Sequence, residues 1–165
     1  MNIVTVPSDK LRIVCEDITE FDSGLHRVVA SMVEKLYTSD AVGLAAPQVD
    51  IQKRIIVVDS SQGQVSHKLF IMINPKIIWT SSETAVLPEG CLSIPNVIVN
   101  VRRFTEIQVQ YQNMYGHIKL NTFNGYAAQI IQHEVDHLDG ILMIDKASLV
   151  DHRMTHVNLS KTAIG

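Results

Sequence analysis

Residues His133-Glu134-Val135-Asp136-His137 place two imidazoles four positions apart with a carboxylate beside the first. On an α-helix, positions i and i+4 share a face, so both rings can reach one metal ion. Glu134 is the next side chain round the helix and can touch a water on that metal. This is the H-E-x-x-H pattern, in which two ligands and a general base come from a turn and a half of helix. The string also arises by chance, and a surface helix with paired charges would satisfy it. Here the residues around the motif are apolar, which argues against two exposed spectator histidines.

Two histidines leave a metal short of ligands, since catalytic zinc-type sites use about three protein ligands plus a water. Candidates for the third are Cys91, the other histidines, and any acidic group that folding brings near. Cys91 lies in Pro88-Glu89-Gly90-Cys91-Leu92-Ser93, between strand-like runs. A thiolate is a strong soft ligand, and Gly90 permits unusual backbone geometry. Cys15 has no such glycine and reads as a small buried hydrophobe. The two thiols could pair, but in an unexported chain they are more often reduced.

With Cys91, His133 and His137 as ligands, one position stays open for water. A bound divalent ion lowers the pKa of that water from about 15.7 to near 7. Glu134 can take its proton and deliver it to a leaving amine. The reaction class is hydrolysis of an amide bond. The developing oxyanion needs further donors, and Gln48 offers a side-chain NH2 while Leu92 offers a backbone N–H beside the metal ligand.

The elements that must position these groups are legible in part. Leu25, Val28, Val29, Met32, Val33, Leu36 and Tyr37 form an apolar face of helical period, which predicts a helix over about 22–38 capped by Asp22 or Ser23. Residues 41–48 are small and apolar and read as a tight loop under a helix. Strands are expected at 3–6, 11–14, 54–59, 69–73 (ended by Asn74-Pro75), 77–80, 97–101 and 107–111. Asn113 to Gly116 has hairpin-turn residues, with residues 117–120 returning. A second helix starts near Gly125, carries the metal motif, and ends at Asp139-Gly140, with Gly140 suited to a left-handed cap. A short strand at 141–144 and a last helix at about 148–160 complete the expectation. The fold class is α+β: antiparallel β-sheets packed around a central metal-binding α-helix, with an N-terminal and a short C-terminal helix.

At 165 residues the chain is expected to form one domain over 1–165. Apolar residues make up 46% and charged residues 19%, which suits a globular protein rather than a disordered one. The net charge of −3, with no basic run, gives no nucleic-acid footprint. No apolar stretch approaches the roughly 18 residues of a membrane span, and residues 1–10 lack a secretory pattern.

Three segments occur in order: Gly43-Leu44-Ala45-Ala46-Pro47-Gln48, Glu89-Gly90-Cys91-Leu92-Ser93 and Gln132-His133-Glu134-Val135-Asp136-His137-Leu138. Together they resemble the three signature motifs of the peptide deformylases, and the resemblance extends over nearly the whole chain. Pro7, Leu11 and Arg12 resemble the family's N-terminal segment, residues 54–59 its strand after the first motif, and Gly140 and Asp145 follow the third motif as expected.

The resemblance implies removal of the formyl group from the formyl-methionine of nascent chains, releasing formate. It implies a metal held by Cys91, His133 and His137, typically ferrous iron, with nickel, cobalt or zinc as replacements. It implies Glu134 as the acid/base, with Gln48 and the Leu92 N–H as oxyanion donors. Gly43 and Val42 would lie along the bound peptide, and the methionine pocket is expected around Val42, Glu89, Arg103, Ile130 and His133. The implied setting is a bacterial cytoplasm, with formyl-methionyl nascent peptides as substrate, a monomer, and no nucleic-acid or membrane site.

The chain departs from the family pattern in places. Ala41 stands where the family often has a glycine. Gln129 is polar for its place near an apolar pocket, so it either faces away or alters side-chain preference. The last expected helix has no long basic tail after it, which leaves transient docking on the ribosome open. Two other readings stand beside this one. An ordinary H-E-x-x-H metallopeptidase would take a downstream ligand such as His152 or His156, and a non-catalytic module would close its metal with four protein ligands.

Overall fold

The structure is a computed structural model and describes residues 1–61 and 69–147. The predicted last helix, His152 and His156 lie outside the described residues, as does most of the connection after residue 59.

Helix α1 spans Ser23–Thr38, and the Asp22 carboxylate caps it by accepting from the Leu25 N–H at 2.9 Å. Leu25, Val29, Met32 and Leu36 are buried along one stripe, as the spacing predicts. Tyr37 departs from that stripe. It is half-exposed, and its hydroxyl donates to Asp59.

Strands β1 (Gly43–Ala45), β2 (Ile55–Asp59), β3 (Leu69–Thr80), β6 (Glu106–Gln112) and β7 (Ile118–Asn124) form an antiparallel sheet in the order β1-β2-β3-β6-β7. Every residue of β2 is buried. Its side chains alternate: Ile55 and Val57 join the cluster around α1, while Ile56 and Val58 join the opposite one. That opposite cluster belongs to helix α2 (Gly125–Leu138), through Ala128, Ile131, Val135 and Leu138. Helices therefore cover both faces of the sheet, and burying each large aliphatic side chain contributes roughly 1.5–3 kcal/mol.

A second sheet pairs β4 (Thr84–Cys91) with β5 (Ile94–Phe104). Val99 and Val101 of this hairpin pack with Leu11, Leu142 and Met143 in a third cluster. Of the fourteen residues of α2, the eleven from Ala128 to Leu138 are buried, so this helix is the centre of the molecule.

Several local expectations need correction. Residues 3–6 form no strand, though Val4 N–H donates to Gln48 O and Val6 N–H to Ser93 O. Residues 9–12 form a 3-10 turn in place of an extended run at 11–14. Residues 41–48 contain edge strand β1 and then a 3-10 turn over Ala46–Val49. The strand predicted to stop at Asn74-Pro75 runs on: Asn74 takes φ 51°, the register shifts, and its side chain bonds Ile18 N, Ile18 O and Gln112 Oε1. Residues 143–145 form a 3-10 turn, and no strand lies at 141–144. Gly140 does end α2 in the left-handed region at φ 69°, where an added Cβ would lie 2.5 Å from Arg12 O.

Candidate metal centre

The helical spacing holds at the site. The His133 and His137 rings lie one turn apart on α2, with centroids 5.0 Å from each other. Strand β4 ends against them. Its residues alternate in direction, so Glu89 and Cys91 point the same way, toward α2. Cys91 Sγ sits 3.3 Å from His137 Nε2, and the ligand atoms of Cys91, His133 and His137 all fall within 4.8 Å of one another. This S, N, N donor set suits a transition-metal ion and leaves room for water. It is the one such group among the described residues, which hold no fourth ligand to close it. Both cysteines are free thiols. Cys15 is buried, and burial pushes its thiol up to about 11, in keeping with a packing role.

Glu89 orients the first histidine. Its Oε2 lies 2.9 Å from His133 Nδ1, which turns Nε2 toward the thiol and second ring. Arg103 grips the same carboxylate with two bonds, Nε to Oε1 at 2.7 Å and Nη2 to Oε2 at 2.9 Å. Its remaining arm reaches Asp136, which also accepts from Lys146 at 2.8 Å. Burial disfavours the imidazolium of His133, but hydrogen bonds with Cys91 and Glu89 override it and raise the ring to about 10. A metal ion would take that proton's place. Burial, then the positive charge of His133, pushes His137 well down.

Burial would raise Glu89, but Arg103 and His133 hold it at about 2, against 4.5 for a free side chain. Its folded pKa is depressed, so the contribution to stability is fully present above pH 4.5 and is lost as pH falls toward 2. Urea midpoints measured across that window should therefore fall with pH, and Glu89→Gln should flatten the slope. Parallel curves for the two proteins would contradict this.

Glu134 is buried, and its Oε2 has no hydrogen-bond partner among the described residues. Burial raises its carboxyl to about 7, with His133 pulling down and Glu89 pushing up. Gly43 makes the space for it. An added Cβ would lie 2.3 Å from Glu134 Oε1 and 2.7 Å from Ile130 Cγ2. Gly43→Ala should thus displace the carboxylate while sparing the ligand set. Activity is expected to drop ~10²-fold for such a misplacement, with overpacking costing about 1–3 kcal/mol. Metal content should be kept, and normal turnover in Gly43→Ala would contradict the contact.

The Gln48 carboxamide is directed by two neighbours. Ala45 N–H donates to its Oε1 at 2.9 Å, and Nε2 donates to Ser93 Oγ at 3.2 Å and toward Cys91 Sγ at 3.5 Å. Its NH2 end therefore faces the thiol.

A cleft of roughly 700 Å³ opens over these groups, lined among others by Val42, Gly43, Gln48, Leu92, Ile130 and His133. Glu89 and Glu134 also reach it. Arg103 does not line it. It is buried behind Glu89, which it meets through Nε and Nη2. Gln129 faces the cleft, and its Nε2 donates to Pro88 O at 3.1 Å. Sequence reasoning missed Ser93, Tyr126 and the Asp136–Arg103 contact. A carboxylate inside a buried helix was the available signal for Asp136; Ser93 and Tyr126 had none.

Comparison with known proteins agrees with this geometry. The polypeptide deformylase family matches residues 1–153. A peptide deformylase of Thermotoga petrophila is 44% identical over 138 residues, covering 84% of this chain and 81% of the relative. A crystal structure of the peptide deformylase of Plasmodium falciparum superposes with a TM-score of 0.91 at 38% identity, covering 97% of this chain and 94% of that one. A class I type b peptide deformylase of Acinetobacter baumannii with Met-Ala-Ser bound gives a TM-score of 0.83 at 31% identity, covering 88% and 97%.

Proposed function

The chain belongs to the polypeptide deformylase family, enzymes that remove the N-formyl group from formyl-methionyl chains, and we propose how its own residues divide that work. The observation that carries the proposal is the convergence of Cys91, His133 and His137 beside a buried Glu134, one of whose carboxylate oxygens has no hydrogen-bond partner among the described residues.

Cys91, His133 and His137 would hold one divalent ion, with Fe2+ as the native metal and Zn2+, Ni2+ or Co2+ as replacements. When bound, the ion activates water and polarises the formyl carbonyl as a Lewis acid. Glu134 takes a proton at its carboxylate and returns it to the leaving amine, a transfer that works best for a pKa near the working pH. The Gln48 NH2 and the Leu92 N–H donate to the carbonyl oxygen as charge develops there. Val42 and Gly43 run beside the peptide backbone. Glu89, Ile130 and His133 surround the methionine side chain, and Arg103 acts from behind by fixing Glu89.

A partly exposed thiolate on a ferrous ion would be sensitive to oxidants. Iron-loaded protein should lose activity in air or peroxide, and full activity there would overturn the choice of iron. The relatives include bacterial enzymes, and no described helix is long and apolar enough to cross a membrane. We propose that the enzyme works in a bacterial cytoplasm, as a monomer, on chains leaving the ribosome. Formate release from formyl-Met-Ala-Ser tests the reaction. A competent protein frees formate with the peptide bonds intact, whereas cleavage within the peptide would favour a metallopeptidase.

A further inference from the structure

Resting on the reading that Gln48 and Leu92 donate to the developing oxyanion, we infer that residues 3–6 are a positioning element of that pair and set the distance between them. The two donors stand on separate parts of the fold. Gln48 belongs to the 3-10 turn Ala46–Val49, which continues β1 of the five-stranded sheet. Leu92 and Ser93 form the turn between β4 and β5. Among the described residues the two sheets share no ladder, and no backbone hydrogen bond runs directly between these two turns. Their direct link is the Gln48 side chain, whose Nε2 donates to Ser93 Oγ at 3.2 Å.

Residues 3–6 supply the backbone link from outside the cleft, which none of them lines. Val4 N–H donates to Gln48 O at 2.8 Å, and Val6 N–H donates to Ser93 O at 3.0 Å. A spacing of two is that of an extended chain, in which alternate N–H groups point the same way about 6.6 Å apart. The segment therefore holds both turns at a separation fixed by its own backbone. Its side chains anchor it on two flanks. Ile3, like Leu92, packs against the cluster around α1, whereas Val4 and Val6 pack against the hairpin cluster. An oxyanion donor is effective when its place is set before the charge develops. Ala45 N–H and Ser93 Oγ set the plane of the Gln48 amide. The bonds to Val4 and Val6 set how far the backbone that carries it stands from the Leu92 N–H.

The test compares Val4→Pro, which removes the N–H and keeps an apolar ring, with Val4→Ala, which keeps the N–H and removes packing. Removing an oxyanion donor costs about 10²–10³-fold in kcat, so Val4→Pro should lower kcat for formyl-Met-Ala-Ser about tenfold, with KM within about twofold. Metal per chain should be unchanged. Val4→Ala leaves both bonds in place and should stay within about threefold of the native kcat. On a Gln48→Ala background, Val4→Pro should cost nothing further, because the donor it positions is gone. The α-hydroxy analogue of valine at position 4 removes the same N–H with the side chain intact, and should repeat the loss even where proline disturbs folding. A native kcat in the hydroxy-acid protein, equal losses in Val4→Pro and Val4→Ala, or a loss that adds in full to that of Gln48→Ala overturns the inference. Formate from none of the proteins would count against the reaction itself. Solvent exchange of the Gln48 side-chain amide, followed by nuclear magnetic resonance in metal-free protein, would then still read the link. It should quicken about tenfold in the hydroxy-acid protein, and an unchanged rate would overturn the inference.

Discussion

Glu134→Gln is expected to bind metal as the native protein does and to lose turnover by at least about 10²-fold, the contribution of a positioned acid/base. The substitution keeps the shape of the side chain and removes its capacity to take a proton. Gly43 and Ile130 still confine it, so the amide occupies the same space. The native carboxyl is buried, one of its oxygens has no partner among the described residues, and its pKa is about 7. Stability gives an independent check on the metal-free protein. A carboxyl raised from 4.5 to about 7 loses stability as pH climbs through that interval, because the folded state holds its proton longer. Glu134→Gln should therefore be at least as stable as the native chain above pH 7. Near-normal turnover in Glu134→Gln would remove Glu134 from the mechanism.

Cys91→Ala is the second substitution with a large expected effect. Thiolate and two imidazoles are the group among the described residues able to hold an ion, and no fourth protein ligand stands ready there. Altering even the partners of metal ligands costs 10–100-fold in affinity or activity, so loss of a ligand itself should cost more than ~10²-fold. Metal per chain after dialysis should fall sharply and formate release with it, while α2 and the sheet persist through their own apolar clusters. Full metal content and persistent peptide cleavage in Cys91→Ala would instead favour a metallopeptidase using a different third ligand.

Much of the site was legible because its spacing is local. His133, Glu134 and His137 fall on one helix, where four residues make one turn. Glu89 and Cys91 share a strand face at a spacing of two. The strand carrying them was not legible: Pro88 and Gly90 break the apolar alternation, yet β4 forms because β5 pairs with it along its length. Asn74-Pro75 looked like a strand end for the same reason. A positive φ at Asn74 and its side-chain bonds to Ile18 and Gln112 carry the strand through a bulge that no local pattern announces. Residues 3–6 are extended enough to bond Gln48 and Ser93 but have no regular partner strand. The partners of Arg103 lie 14 and 33 residues away and become visible only in the fold.

The most direct measurement is formate released from formyl-Met-Ala-Ser as ferrous ion is titrated anaerobically into metal-stripped protein. The account predicts no formate without metal and a rise that saturates at a single ion per chain, absent in Cys91→Ala. Formate release from the stripped protein, or none at any ratio of ion to chain, would contradict it.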